Sequence, residues 1–186
     1  KIEKLNIATE YKIKCGVIDK DGNIKESLEN KVQTLEKEVL YDGVDSSIFE
    51  PFRVDNSIYN AYGQKNGYYS IIGIDKNGRA GINTNKKINL NNVNKISVDT
   101  DLYNCYGSSF VGTIYLGICN LKDNSIDFVK SVNYSTNVVN PNTDRKVLEL
   151  NVKDIEGEYY IKIIAVHPAN INDSEFDAKI YSIELN

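Results

Sequence analysis

Glu158-Tyr159-Tyr160-Ile161-Lys162-Ile163-Ile164-Ala165-Val166 is the run on which the fold turns. It is apolar on both faces apart from Lys162, the pattern of a central strand covered from both sides. The segments around it alternate instead. Leu148, Leu150 and Val152 share one face, as do Tyr181, Ile183 and Leu185. Ile114, Leu116 and Ile118 oppose Tyr115 and Gly117, and Lys95-Ile96-Ser97-Val98-Asp99 switches between polar and apolar at each step. From Ser46 onward about nine or ten such runs follow one another, separated by Asn, Gly and Asp turns, which predicts an all-β jelly roll or β-sandwich. Ile18-Asp19-Lys20-Asp21-Gly22 and Ile74-Asp75-Lys76-Asn77-Gly78 echo each other, and both fit a tight hairpin with Gly at positive φ.

Upstream the pattern changes. In residues 1–22, Tyr11, Ile13, Cys15 and Val17 alternate with Lys12, Lys14 and Gly16, which indicates a half-buried strand ending in the Asp19–Gly22 turn. Residues 23–42 have a helical period. Asn23 and Glu26 form a start like a capping box, and Leu28, Val32, Leu35 and Val39 follow at spacings of a heptad seam. The spacing predicts a short α-helical coiled-coil stalk, with Lys31 and Glu36 placed for an interchain pair. An amphipathic helix packed on its own domain is the alternative. Residues 43–186 then form the jelly-roll binding domain, and a chain starting at Lys1 is expected to be a piece of a longer protein.

Composition narrows the function. Across 186 residues, 22 Lys and Arg stand against 26 Asp and Glu, a net charge of -4 without a basic run. This argues against nucleic acid or an anionic membrane surface as partner. No apolar run approaches the roughly 18 residues needed for membrane insertion as a helix. One His and 3 Cys leave little for nucleophilic or metal chemistry, so no catalytic residue, metal site or cofactor is assigned. His167, before Pro168, reads as a solvated loop residue. Cys15, Cys105 and Cys119 lack metal-ligand spacing and read as free thiols. Asp99, Asp101, Asp173, Glu175 and Asp177 are the notable carboxylates, but a glycosidase needs two of them across a sugar-sized gap. Asn172-Asp173-Ser174-Glu175 matches no defined calcium loop and reads as a solvated acidic turn, and Asp19-Lys20-Asp21-Gly22-Asn23 has its Gly at the wrong place for an EF-hand.

The aromatic residues are the suggestive feature. Tyr59-Asn60-Ala61-Tyr62-Gly63 and Tyr103-Asn104-Cys105-Tyr106-Gly107 share a Tyr-Asn-x-Tyr-Gly pattern near strand ends, with Tyr68-Tyr69 close by. A Tyr ring offers a flat apolar face and a hydroxyl, and Asn offers both donor and acceptor. Such residues can stack on a sugar or anchor an interface, so Tyr59, Tyr62, Tyr103, Asn104 and Tyr106 are the candidate ligand-binding residues. Filling the sandwich core is the competing use, and adjacent Tyr68 and Tyr69 must point to opposite faces.

A heptad ending in Leu40-Tyr41-Asp42-Gly43, the stretches 87–99 and 148–161, and the closing Lys179-Ile180-Tyr181-Ser182-Ile183-Glu184-Leu185 together resemble the C-terminal receptor-binding region of tail-fibre proteins. These belong to phages and phage-tail-like bacteriocins of low-GC Gram-positive bacteria, clostridia above all. The likeness spans roughly residues 28–186. It departs from them in having Ser46-Ser47-Ile48-Phe49 where similar proteins often carry a Trp. The resemblance implies a homotrimer on a virion tail, gathered through Leu28, Val32, Leu35 and Val39, that recognises a bacterial cell-surface glycan or surface protein without catalysis. The alternative is a carbohydrate-binding module of a secreted clostridial enzyme or adhesin, and a glycosidase is a third reading.

Overall fold

Alternating side chains give a strand two chemically different faces, and two such sheets bury their apolar faces together. The computed structural model describes residues 5, 9–34, 37–54, 61–74, 78–106, 109–123, 125–138, 143–167 and 175–186. An N-terminal arm holds β1 (Glu10–Ile13), β2 (Gly16–Ile18), β3 (Ile24–Glu26) and β4 (Asn30–Gln33), with β1 paired to β4 and β2 to β3. Sheet one runs from edge to edge as β13 (Lys130–Val138), β12 (Phe110–Cys119), β15 (Glu158–Val166), β9 (Arg79–Thr84) and β6 (Phe49–Val54), and β10 (Ile88–Asn89) pairs the start of β15. Sheet two runs as β14 (Thr143–Asn151), β11 (Lys95–Tyr106), β16 (Glu175–Leu185), β8 (Tyr68–Ile74) and β7 (Ala61–Lys65), and β5 (Glu38–Tyr41) pairs the end of β16. Every pairing is antiparallel. The chain is an all-β sandwich.

The core lies between the sheets. Ile161, Ile163 and Ala165 of β15 join Ile114, Leu116 and Ile118 of β12 in one buried cluster with Ile96, Val98 and Leu102 of β11 and with Ile180 and Ile183 of β16. Burying one such aliphatic side chain is worth about 1.5–3 kcal/mol, so this layer dominates stability. At one end of the core Tyr41 is buried, and its hydroxyl donates to Gln64 Oε1 at 2.9 Å. Phe49 lies 4.8 Å from the Tyr41 ring and 5.0 Å from that of Tyr69. Gly43 follows at φ 87°, its carbonyl accepting from Gln64 Nε2. A Cβ there would stand 2.6 Å from the Gly67 carbonyl oxygen, so Leu40-Tyr41-Asp42-Gly43 is a backbone requirement of the sandwich entrance.

Three expectations are corrected. The helix over residues 23–42 does not form: Ile24–Glu26, Asn30–Gln33 and Glu38–Tyr41 are strands. Of the expected seam, Leu28 is 88 % exposed between strands, Val32 belongs to β4 and Val39 to β5, and Leu35 lies outside the described residues. The Asp19–Gly22 turn folds the chain back, with the Asp19 carboxylate accepting from the amides of Asp21 and Asn23, each at 2.9 Å. Charged side chains then pair across the ladder, Lys31 with Glu10 at 2.9 Å and Lys12 with Glu29 at 3.2 Å. The second expected hairpin, at Ile74–Gly78, instead joins β8 of sheet two to β9 of sheet one; residues 75–77 lie outside the described residues. His167 is buried, its ring 4.2 Å from that of Phe110.

Candidate functional site

Where Ile96, Val98 and Leu102 of β11 point into the core, Asp99, Asp101 and Tyr103 occupy the alternate positions on the outer face of sheet two. Register sets their neighbours: Asp101 lies opposite Arg145 of β14 on one side and opposite Lys179 of β16 on the other. Lys179 in turn lies opposite Ser70 of β8.

A β-bulge completes the face. Asp99 pairs with Ser182 and Thr100 with Ile180, which leaves Tyr181 as the extra residue of β16. Ile180 and Ile183 both enter the core, and Tyr181 is turned outward beside Tyr68, with ring centroids 5.6 Å apart. Thr100 Oγ1 bonds the Lys179 carbonyl at 2.9 Å and holds the bulge.

The result is an aromatic surface threaded with charge. The Arg145 guanidinium lies 3.8 Å from the centroid of Tyr181 and grips Asp99 with two bonds, Nε to Oδ1 at 2.9 Å and Nη2 to Oδ2 at 2.7 Å. That fork fixes the guanidinium plane against the ring, and the paired carboxylate raises the Arg145 pKa further. Lys179 Nζ sits 4.4 Å from the Tyr103 centroid and 5.5 Å from that of Tyr68. Tyr68, Tyr103 and Tyr181 are each part-exposed.

Beneath them two carboxyl groups are nearly sealed, Asp101 at 3 % and Asp177 at 5 % exposure. Ser70 Oγ donates to Asp177 Oδ1 at 2.7 Å. Burial pushes the Asp177 carboxyl above the usual carboxylate range, against the lowering by Ser70, Lys179 and Lys65. Burial also raises the Tyr181 phenol, helped by the charge on Asp101. Among the described residues no group of His, Cys, Asp and Glu is arranged to hold a metal ion.

Of the residues singled out from sequence, Tyr103 lies on this face. Asn104 and Tyr106 continue β11 opposite Phe176 and Glu175, and Tyr62 lies opposite Ile71 in β7, but the side chains of all three are outside what the structure describes. Tyr59 lies outside the described residues. Cys119 is a buried free thiol and Cys15 an exposed one; the Cys105 side chain is likewise outside what is described. Sequence reasoning passed over Tyr181, Lys179 and Arg145. The rule that Tyr68 and Tyr69 face opposite ways does pick out Tyr68, because Tyr69 is in the core.

No family model matches the chain, and no curated protein matches it either. Solved structures do. An agarase aligns over 81 % of this chain and 24 % of its own at 7 % identity and a TM-score of 0.51, which is a likeness of fold. A family 11 carbohydrate-binding module from Clostridium thermocellum, solved with a β-1,3-1,4-mixed-linked tetrasaccharide, aligns over 80 % of this chain and 94 % of its own at 12 % identity and a TM-score of 0.47. A low-affinity xylan-binding module from Roseburia intestinalis aligns over 75 % and 95 % at 11 % identity and a TM-score of 0.41.

Proposed function

We propose that this chain is a non-catalytic glycan-binding module whose ligand lies along the outer face of sheet two. The observation that carries the reading is the set of Tyr68, Tyr103 and Tyr181, all part-exposed and interleaved with Arg145, Lys179 and Asp99. Sugar rings present C–H faces that pack on aromatic rings and hydroxyls that both donate and accept. The face answers with three phenol rings, cationic donors and carboxylate acceptors. Its charges balance, Arg145, Lys179 and Lys65 against Asp99, Asp101 and Asp177, so a neutral polysaccharide suits it better than a polyanion.

The same reading serves a module mounted on a tail fibre and one mounted on a secreted clostridial enzyme or adhesin. The second fits better, because the heptad argument for a trimer falls with the helix. The test is affinity electrophoresis of the chain in gels of neutral polysaccharides, beside a Tyr103→Ala/Tyr181→Ala variant. The variant should keep the wild-type fold by circular dichroism and lose retardation at least about ten-fold, as expected for removing central aromatic anchors. Wild-type retardation of the folded variant would falsify the proposal.

A further inference from the structure

Sheet one carries a second built surface, on its own outer side. The chain leaving β12 at Cys119 does not turn directly into β13 but lies back over the sheet. Phe128 rests on Gly117, where an added Cβ would be 2.1 Å from the ring, and Phe128 is near-parallel to Tyr115 at 6.4 Å and 19°. Lys162 reaches up from β15 to bond Asp123 Oδ1 at 2.9 Å and the Ser125 carbonyl at 2.8 Å. Lys122 pairs with Glu50 of β6, and the amide of Val129 donates to the Ile118 carbonyl at 2.8 Å. The loop is therefore fastened to three strands of the sheet, at β12, β15 and β6.

This fastened loop lines an open, shallow cavity of about 290 Å³. Its lining combines Phe128 and Leu121 with Asn120, Asp123, Ser125 and Asp127. The volume lies just below the roughly 300–1,000 Å³ range of small-molecule sites, which suits a ligand of one or two sugar units. The chemistry argues against anions and purely apolar ligands. Asp123 is neutralised by Lys162, whereas Asp127 has no counter-charge within 4 Å among the described residues, so an anion is repelled. A purely apolar ligand would strand the amide and carboxylate groups. A neutral polyol with one C–H face satisfies both sets of groups.

We propose that this loop cavity is a second saccharide site, separate from the tyrosine face on the opposite sheet, taking one or two neutral sugar units. Phe128 supplies the floor against which the ring packs, and the Asp127 carboxylate and Asn120 amide bond its hydroxyls. Because the loop is already held by Lys162, binding orders little chain, which favours affinity from a small contact.

The experiment is an amide ¹H–¹⁵N titration of the full chain with neutral gluco-, xylo- and manno-tetraoses and an N-acetylglucosamine trimer, with a trigalacturonate as the charged control. Amides of Asn120, Asp127 and Val129 should shift and saturate with at least one neutral probe and not with the uronate. Asp127→Ala should weaken that event by about ten-fold, the weight of a charge-assisted hydrogen bond, and leave shifts at Tyr103 and Tyr181 untouched. The Tyr103→Ala/Tyr181→Ala variant should do the reverse. The second site is overturned if no neutral probe shifts the loop amides, if the uronate does so more strongly, or if the loop shifts disappear with the tyrosine variant. Absence of face shifts in the wild-type chain, with the loop shifts present, would instead count against the sheet-two reading alone.

Discussion

Each sheet has a lysine on a central strand, and the two lysines have opposite fates. Lys162 of β15 is 0 % exposed, roofed by its own chain and bonded to Asp123 and Ser125, with the Phe52 ring 5.5 Å away. Lys179 of β16 is half-buried, its ammonium over the Tyr103 and Tyr68 rings. The carboxylates beside them diverge in the same way. Hydrogen bonds from Lys162 and Ser125 hold Asp123 below the usual carboxylate range, while burial pushes Asp177 above it. Charge on the first sheet is satisfied from within and works for stability. On the second, the buried Asp177 carboxyl is kept at a cost to stability, which is the expectation for groups at a functional site.

The sharpest way to break this contrast is Asp123→Ala, which leaves the Lys162 ammonium under the loop without its counter-charge. Breaking a buried pair costs roughly 3–5 kcal/mol, and the lower end is expected because Asp123 is itself well exposed. Lys162→Met keeps the apolar stem and strands only a solvated carboxylate, so it should cost much less. Equal losses in the denaturant midpoints of the two variants would remove the idea of a latch. Next comes Gly117→Ala, which drives a methyl into the Phe128 ring and should cost about 1–3 kcal/mol while lifting the loop. With 13 Tyr and no Trp, intrinsic fluorescence averages over the whole chain, so the loop amides are the readout.

On the second sheet, Arg145→Lys should lower stability by no more than about 1 kcal/mol, since Arg145 itself is exposed to solvent and Lys keeps the charge. It should weaken glycan retention far more, because a lysine offers neither the fork to Asp99 nor a plane to lie on Tyr181. A drop in stability without loss of retention would make Arg145 a structural residue only. The smallest effect expected is that of Asp177→Asn. In the wild type the folded chain holds the Asp177 proton more tightly than the unfolded chain, so stability falls as pH rises from the ordinary carboxylate range through the raised folded value. The variant lacks that loss and should unfold at a higher denaturant concentration at pH 7, the advantage vanishing below the ordinary carboxylate range. Asp123 has the opposite sign: its contribution is complete above the ordinary carboxylate range and is lost as pH falls through its lowered folded value.

Much of the sandwich was legible in the sequence because period-two alternation survives wherever one face is buried. Ile114, Leu116 and Ile118, Leu148 and Leu150, and the unbroken run of β15 all lie where their patterns place them. The arm was misread because Leu28, Val32, Leu35 and Val39 carry a heptad spacing by coincidence, while cross-strand partners decide its structure: Tyr11 pairs with Val32, and Lys12 and Lys31 reach Glu29 and Glu10. The candidate site was half legible. Tyr103 stood out by its motif, but Tyr181 read as a core residue in phase with Ile183 and Leu185. One inserted residue in β16 reverses that phase, and nothing local in the sequence announces it. Lys162 was visible as an exception on an apolar strand, though not as the anchor of a loop some forty residues earlier in the chain, a separation on the order of a long-range contact.

The place of β16 in sheet two bears on how the protein is made. It is the last strand in chain order, yet it lies inside the sheet between β11 and β8. Until it has left the ribosome those two neighbours each present an unsatisfied edge, and Ile96, Val98 and Ile71 have no complete layer to enter. The second sheet therefore closes only once β16 has been made, and the chain up to that point carries sticky, half-covered apolar surface.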